Sequence, residues 1–220
     1  MISGSDLSHD LQAVIQKKSP IIFDVGANIG QSIELFTTVF QSPVIYSFEP
    51  SEPEFLKLRE RYKKSSNVSM YQYAMGAKNT EAEFLHYDKS VMNSFYEIDN
   101  AEENRKNFKR LSVTSRSQVK VVTLDSLAKD FAIEKIDLLK SDTQGYEMEV
   151  LKGAENSLHR GIIDNVLIEV NLIPMYVNQA EFTEIYNYLH RMNFRLVDFY
   201  EKKRSRKSID WATALFMKID

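Results

Sequence analysis

The sequence predicts a doubly wound α/β fold: an open, mostly parallel sheet with helices on both faces. Three observations lead there. Short apolar runs recur, and each ends in an acid or polar group, at Asp24, Glu49, Asp142 and Glu169. Each run is followed by a turn and then by a helical pattern or a loop, the alternation that builds parallel sheets. The first run, Ile21 to Val25, leads through Gly26 and Gly30 into an amphipathic segment. In open α/β sheets ligands sit outside the carboxyl ends of the strands, so the four acids are expected to gather in one cleft. Four carboxylates there call for a cation, a protonated ligand or hydroxyl donors, because like charges repel in a low dielectric.

Composition sets the bounds. A chain of 220 residues has length for one domain with a single large core, and 43% hydrophobic against 27% charged residues is a globular balance. A net charge of −3 exerts no general pull toward nucleic acid or an anionic membrane. Without cysteine there are no disulfides, thiolate metal sites or cysteine nucleophiles. No apolar run approaches the roughly 18 residues of a spanning helix, and Met1 to Asp6 lacks the basic and apolar regions of a signal peptide. A cytoplasmic location is the expectation.

The elements follow in order. Asp6 to Lys18 reads as a helix, with Leu7, Leu11, Val14 and Ile15 at helical spacing and Ser5 as its cap; it covers the sheet or lids the pocket. After the central strand, Ile29 to Phe40 is a helix and Val44 to Glu49 a strand closed by Pro50. Glu52 to Lys64 is a helix with Phe55, Leu58 and Tyr62 as its core stripe. Val68 to Tyr73 is the third strand, and Glu81 to Tyr87 alternates like an edge strand. Residues 88–118 are polar and weakly periodic, the pattern of a lid or substrate-binding insert. Val119 to Leu127 is a strand running into a capped helix, and Ile136 to Asp142 is a strand followed by a helix from Glu147 to Ala154. Asn165 to Asn171 is a strand and Glu181 to Met192 a helix. Phe194 to Tyr200 and Thr213 to Ile219 read as a hairpin whose loop holds the basic run Lys202 to Lys207.

A strand–glycine loop–helix unit cradles a nucleotide-type ligand, because free amides and the helix dipole converge there. The dinucleotide fingerprint fails, since its second and third glycines would fall at Asn28 and Gln31, and no phosphate-loop Lys-Ser/Thr follows. The acid Asp24 at the strand end suits a ligand with a cationic end, and S-adenosylmethionine carries an amine and a sulfonium. Glu49 lies 23 positions beyond Gly26, near the spacing at which a carboxylate accepts ribose hydroxyls. Ala74 and Met75, at the end of the third strand, are candidates to line the base. Period two puts Leu138, Lys140 and Asp142 on one side of their strand.

Five segments carry a resemblance to a known family: Phe23 to Gly30, Phe48-Glu49-Pro50, Ala74-Met75-Gly76, Val122 to Leu127, and Ile136 through Ala154. The sequence resembles the FkbM family of S-adenosylmethionine-dependent methyltransferases, a branch of the class I fold. The resemblance implies a seven-stranded, mostly parallel sheet ending in an antiparallel hairpin. It also implies transfer of a methyl group from S-adenosylmethionine to a hydroxyl of a sugar, glycan or secondary metabolite. The cofactor positions are then Asp24, Gly26, Ala27, Asn28, Gly30, Gln31, Glu49, Pro50, Ala74, Met75 and Asp142. Asp142 is the first candidate for the base, with Lys140 and Glu169 next; its alternative role is to cap the helix after Gly145. Family members often carry a glutamate at the position of Gln144 and an apolar residue at that of Ser141. Two other readings stand beside this one. Asp142, Glu169 and Asn171 could hold magnesium for a diol or catechol-like acceptor, or the chain could be a non-catalytic nucleoside-binding module. A nucleic-acid partner is not expected, for want of an aromatic and basic stacking surface.

Overall fold

The computed structural model describes residues 6–99, 111–205 and 208–219. Its centre is a seven-stranded sheet in the order β3-β2-β1-β7-β8-β10-β9. The strands are β1 (Ile21–Val25), β2 (Val44–Phe48), β3 (Val68–Tyr71), β7 (Leu138–Ser141), β8 (Asn165–Asn171), β9 (Phe194–Ser205) and β10 (Ser208–Lys218). All contacts from β3 to β8 are parallel, and β10 runs antiparallel to both neighbours. The order reverses between β1 and β7, which makes their carboxyl ends the switch point where such sheets bind ligands.

Alternation along β1 builds two cores at once. Ile22 faces a cluster with Leu11, Ile33, Phe36 and Leu58, supplied by α1 (Leu7–Val14), α2 (Gln31–Val39) and α3 (Glu52–Tyr62). Phe23 and Val25 face the opposite cluster with Leu127, Val150, Leu158 and Leu189. Those come from α4 (Leu124–Asp130), α5 (Glu147–Gly153), α6 (Glu155–His159) and α7 (Phe182–Arg191). A central strand buried on both faces reads as a near-continuous apolar run. Among the described residues no helix is long and apolar enough to cross a membrane.

Several expected boundaries move, each for a local reason. The first helix spans eight residues rather than running to Lys18, and its cap is Asp6, whose carboxylate accepts from the Ser8 amide at 2.9 Å; Ser5 lies outside the described residues. The third strand ends at Tyr71, and β4 (Ala74–Met75) leaves for a second sheet, ordered β4-β6-β5 with β5 (Thr80–Tyr87) and β6 (Val113–Val122).

The stretch 88–118 is therefore not loop throughout. Residues 113–118 begin β6, exposed almost throughout and held by backbone pairing to β5. A strand that buries neither face until Val119 leaves no alternation to read. Residues 100–110 of that stretch lie outside the described residues. The hairpin is also longer than expected: Lys202, Lys203 and Arg204 belong to β9, with no loop residue among them. They are exposed on the sheet's edge strand, where charge discourages pairing with another chain.

At Gly153 helix α5 meets the chain that leads out of β4. A Cβ at Gly153 would stand 2.1 Å from the Gly76 carbonyl oxygen. Glycine to alanine in a helix ordinarily stabilises by about 1 kcal/mol. Here the sign should reverse: Gly153→Ala is expected to lower stability by about 1–3 kcal/mol through backbone overpacking, read as the shift in urea midpoint.

Candidate functional site

The glycine loop is shaped by what presses on it. Gly26 takes φ +77°, and a Cβ there would sit 1.9 Å from the carbonyl oxygen of Asp142, so the loop passes directly against the end of β7. The amides of Gly26 and Ala27 both donate to the Phe48 carbonyl, at 3.0 and 3.1 Å, which ties the loop to β2. Gly30, at φ +96°, is the residue from which α2 starts, and the Tyr62 hydroxyl donates to its carbonyl at 2.9 Å. Tyr62, expected only as core, also clamps this loop.

Glu49 emerges at the end of β2 with 5% exposure. Its Oε2 accepts from the Asn28 amide at 2.8 Å and its Oε1 from the Ser51 amide at 2.9 Å. Burial pushes its carboxyl up to about 7, although those two N–H bonds act in the opposite direction.

Asp24 is fully buried and does not line the cleft. Its Oδ1 is 3.1 Å from the Lys140 ammonium, and its Oδ2 accepts from Ser32 Oγ at 2.7 Å. The Lys140 Nζ also donates to the Gly26 carbonyl at 2.9 Å. Burial alone would lower the Lys140 pKa, but Asp24, Asp142 and Glu169 more than offset it and hold the ammonium above the ordinary lysine value. Lys140 is thus a buried cation fixed under the loop by Asp24 and the Gly26 carbonyl.

On the far side of Lys140 three carboxylates converge. Oxygens of Asp142, Glu147 and Glu169 lie within 4.8 Å of one another. Gln144, at φ +56°, donates its amide to Asp142 Oδ1 at 2.7 Å and to Glu169 Oε2 at 2.9 Å, while its own oxygen accepts from Tyr176 at 2.8 Å. Burial first, then the charges of Asp142 and Glu147, raise the Glu169 carboxyl well above the ordinary range. Burial likewise brings Glu147 to about 7. In the sequence Glu147 carries one signal only, its place in the first turn of a helix after Gly145. Asp142 does not cap the helix, whose N-cap residue is Tyr146 and makes no side-chain cap bond; Glu147 instead braces the preceding turn, its Oε1 accepting from the Thr143 amide at 2.7 Å and the Gly145 amide at 3.3 Å. Asn171 does not line the cleft, and both remaining carboxylates of the expected magnesium set already receive the Gln144 amide.

These groups surround a cleft of about 330 Å³. Of the expected positions, Gly26, Ala27, Asn28, Gln31, Glu49, Pro50, Ala74, Met75, Lys140, Asp142 and Glu169 line it, whereas Asp24, Gly30 and Asn171 do not. Beside Ala74 and Met75 the wall is aromatic: Phe84 packs on Phe95 at 5.0 Å and Phe95 on Tyr146 at 4.5 Å between ring centroids. Phe95 comes from the polar stretch, whose Ser90, Val91 and Asn93 also reach the cleft. Phe84 and Tyr146 lie in elements read for their backbone pattern, so no sequence signal marked their rings.

The Methyltransferase FkbM domain family matches this chain over residues 24–196. Similar proteins include "Methyltransferase 1" of Beauveria bassiana, 27% identical over 68% of this chain and 64% of its own length. The 2-O-methyltransferase NoeI of Sinorhizobium fredii is 21% identical over 71% of this chain and 66% of its own. The hexuronic acid methyltransferase AglP of Haloferax volcanii is 22% identical over 70% and 57%. In each case the match spans less than two thirds of the relative. Among solved structures, an rRNA methylase from Streptococcus thermophilus is similar with TM-score 0.54 at 12% identity, over 97% of this chain and 95% of that one. At that identity the likeness shows the shared fold.

Glu49 and Glu147 each hold their proton to about pH 7 in the folded state, against 4.5 when unperturbed. The folded chain therefore binds protons more tightly than the unfolded chain. Its stability from these two groups is full below pH 4.5 and is lost as pH rises toward 7. The unfolding free energy of the ligand-free protein is expected to fall between pH 5.5 and 8 by on the order of 1–3 kcal/mol, and Glu49→Gln should flatten part of that slope. Urea titrations across the range measure both.

Proposed function

The chain belongs to the FkbM methyltransferase family, and from that premise we propose that it transfers a methyl group from S-adenosylmethionine to a hydroxyl, on a sugar, glycan or secondary metabolite. The observation that carries this reading is Glu49, presented into the cleft by two backbone amides. A carboxylate fixed in that way accepts two ribose hydroxyls without reorganising. Ala74 and Met75, with the wall of Phe84, Phe95 and Tyr146, would hold the base. The Gly26–Ala27 turn would lead to the methionine end, whose positive amine and sulfonium the carboxylates of Asp142 and Glu169 would favour. The segment after β5 serves as the cover over the nucleoside side: the Asn28 side chain donates to the Ser90 carbonyl at 3.5 Å and Ser94 Oγ to the Gln144 carbonyl at 2.7 Å.

Methyl transfer asks the protein for alignment and for a place to put one proton. S-adenosylmethionine would supply a methyl group activated by the sulfonium, which would leave as a neutral thioether, and Asp142 would take the proton of the acceptor hydroxyl. Holding the oxygen in line is worth several kcal/mol, up to about 7–11 in well-aligned cases. Lys140 keeps Asp142 and Glu169 from repelling each other out of position; it does not exchange the proton. The names of two relatives support the acceptor class: one is a 2-O-methyltransferase and one a hexuronic acid methyltransferase.

Calorimetry tests the cofactor assignment. S-adenosylhomocysteine should bind, and Glu49→Ala should weaken it by about 1.5–3 kcal/mol, as expected for hydrogen bonds to a charged group. Binding of NAD in its place would overturn the reading. Asp142→Asn should lower turnover by about 10²–10⁴ while cofactor affinity stays within a few-fold. A cosubstrate-release assay over a panel of glycans and polyhydroxy metabolites supplies the acceptor for that measurement.

A further inference from the structure

Glu201 does not point where its strand would send it. Tyr200 faces α1, where its hydroxyl donates to Asp10 Oδ2 at 2.6 Å. Alternation would turn Glu201 to the opposite face. In β9, however, Tyr200 pairs with Thr213 and Lys203 with Trp211, so β9 takes one more residue than β10 to cover the same interval. This is a β-bulge, a device that re-aims a side chain. Glu201 adopts φ +50° within it, and its carboxylate returns to the Tyr200 face, where Thr213 Oγ1 donates to Oε2 at 3.0 Å. A glycine would take this backbone without strain, so the backbone itself has no need of a glutamate here.

The carboxylate arrives at the mouth of the cleft. Glu201 and Thr213 line it together with Leu7, Leu35, Lys140 and Glu169. Thr213 stands directly opposite Glu169 in the β8–β10 register. Of the residues assigned to the nucleoside, Glu49 follows β2, on one side of β1, and Ala74 and Met75 form β4 of the second sheet. Lys140, Glu169, Thr213 and Glu201 come from β7, β8, β10 and β9 on the other. The two groups meet at the Gly26 turn and Asp142, where the methyl would be delivered.

We propose that this second lobe is the acceptor site and that Glu201 binds it, taking hydroxyls of a polyhydroxylated acceptor. The proposal rests on the methyltransferase reading above. Oε2 already accepts from Thr213, which fixes the carboxylate's direction, and Oε1 would take the incoming hydroxyl. A carboxylate and a threonine hydroxyl beside two leucines suit a sugar ring, with hydroxyls on its edge and C–H groups on its faces. Glu201 thereby selects which hydroxyl is brought to Asp142, as a binding residue and not as the base.

Saturation-transfer NMR on the full chain, loaded with S-adenosylhomocysteine, tests this with glucuronic acid, methyl glucoside, inositol and catechol as probes. At least one of the three polyols should bind, in preference to catechol. Glu201→Gln and Glu201→Gly should weaken that polyol by roughly tenfold or more, the scale of a hydrogen bond to a charged group, with S-adenosylhomocysteine affinity unchanged. Glu201→Gly should also keep or raise the melting temperature, since it relieves the left-handed backbone. Equal polyol binding in both variants, or no polyol binding to the loaded wild type, overturns the proposal. Failure of S-adenosylhomocysteine to bind the wild type overturns the methyltransferase reading instead.

Discussion

The buried pair of Asp24 and Lys140 is the constraint on which the carboxyl edge of the sheet depends. The two residues stand side by side in the β1–β7 register, at the point where the strand order reverses. Lys140 Nζ reaches both the Asp24 carboxylate and the Gly26 carbonyl, so one ammonium fastens the strand end and the turn that follows it. A charge taken out of water is tolerable only with partners in good geometry, and removing one partner costs about 3–5 kcal/mol. The contact also sets the height of the glycine loop. With Gly26 drawn down against the Asp142 carbonyl, the amides of Asn28 and Ser51 are left in position to hold Glu49.

The same ammonium governs the electrostatics of the cleft. Asp142, Glu147 and Glu169 crowd together, and burial raises the last two above their ordinary range. One cation and the Gln144 amide offset only part of this negative charge. A site left in that state favours a ligand that brings positive charge or donates hydroxyl protons. Gln144 supplies a donor to both Asp142 and Glu169, and a fourth acid at that point would leave them without their shared hydrogen bonds.

Around this centre the periphery differs from the core in how it is held. Residues 113–118 of β6 and 201–204 of β9 are held mainly by backbone pairing to β5 and β10, whereas the inner parts of β6, β9 and β10, at Val122, Phe194, Tyr200 and Phe216, join the main hydrophobic clusters. Their exposed positions tolerate polar and charged side chains; a small cluster on β5 and β6 brings Phe84 and Phe95 to the cleft, and the bulge in β9 brings Glu201.

That division explains what was legible in the sequence. The parallel sheet, the glycine turn and the acids at strand ends could be read directly, because a strand buried on both faces must be apolar and must end where polar groups begin. Lys140, Asp142 and Glu169 were marked for the same reason. The sequence did not show that Asp24 faces inward to Lys140 instead of into the cleft, that Glu147 braces the Thr143–Gly145 turn, or that Asn171 stays out. Each depends on which neighbour the strand order supplies, and strand order is a property of the sheet, not of any strand. Residues 113–118 and 202–204 carry the pattern of loop because exposed strands have no hydrophobic period, and the place of Glu201 is hidden because a bulge breaks the period that exists. Local pattern records what a residue must avoid, which is water or burial. The partner it finds is decided only when distant segments pack.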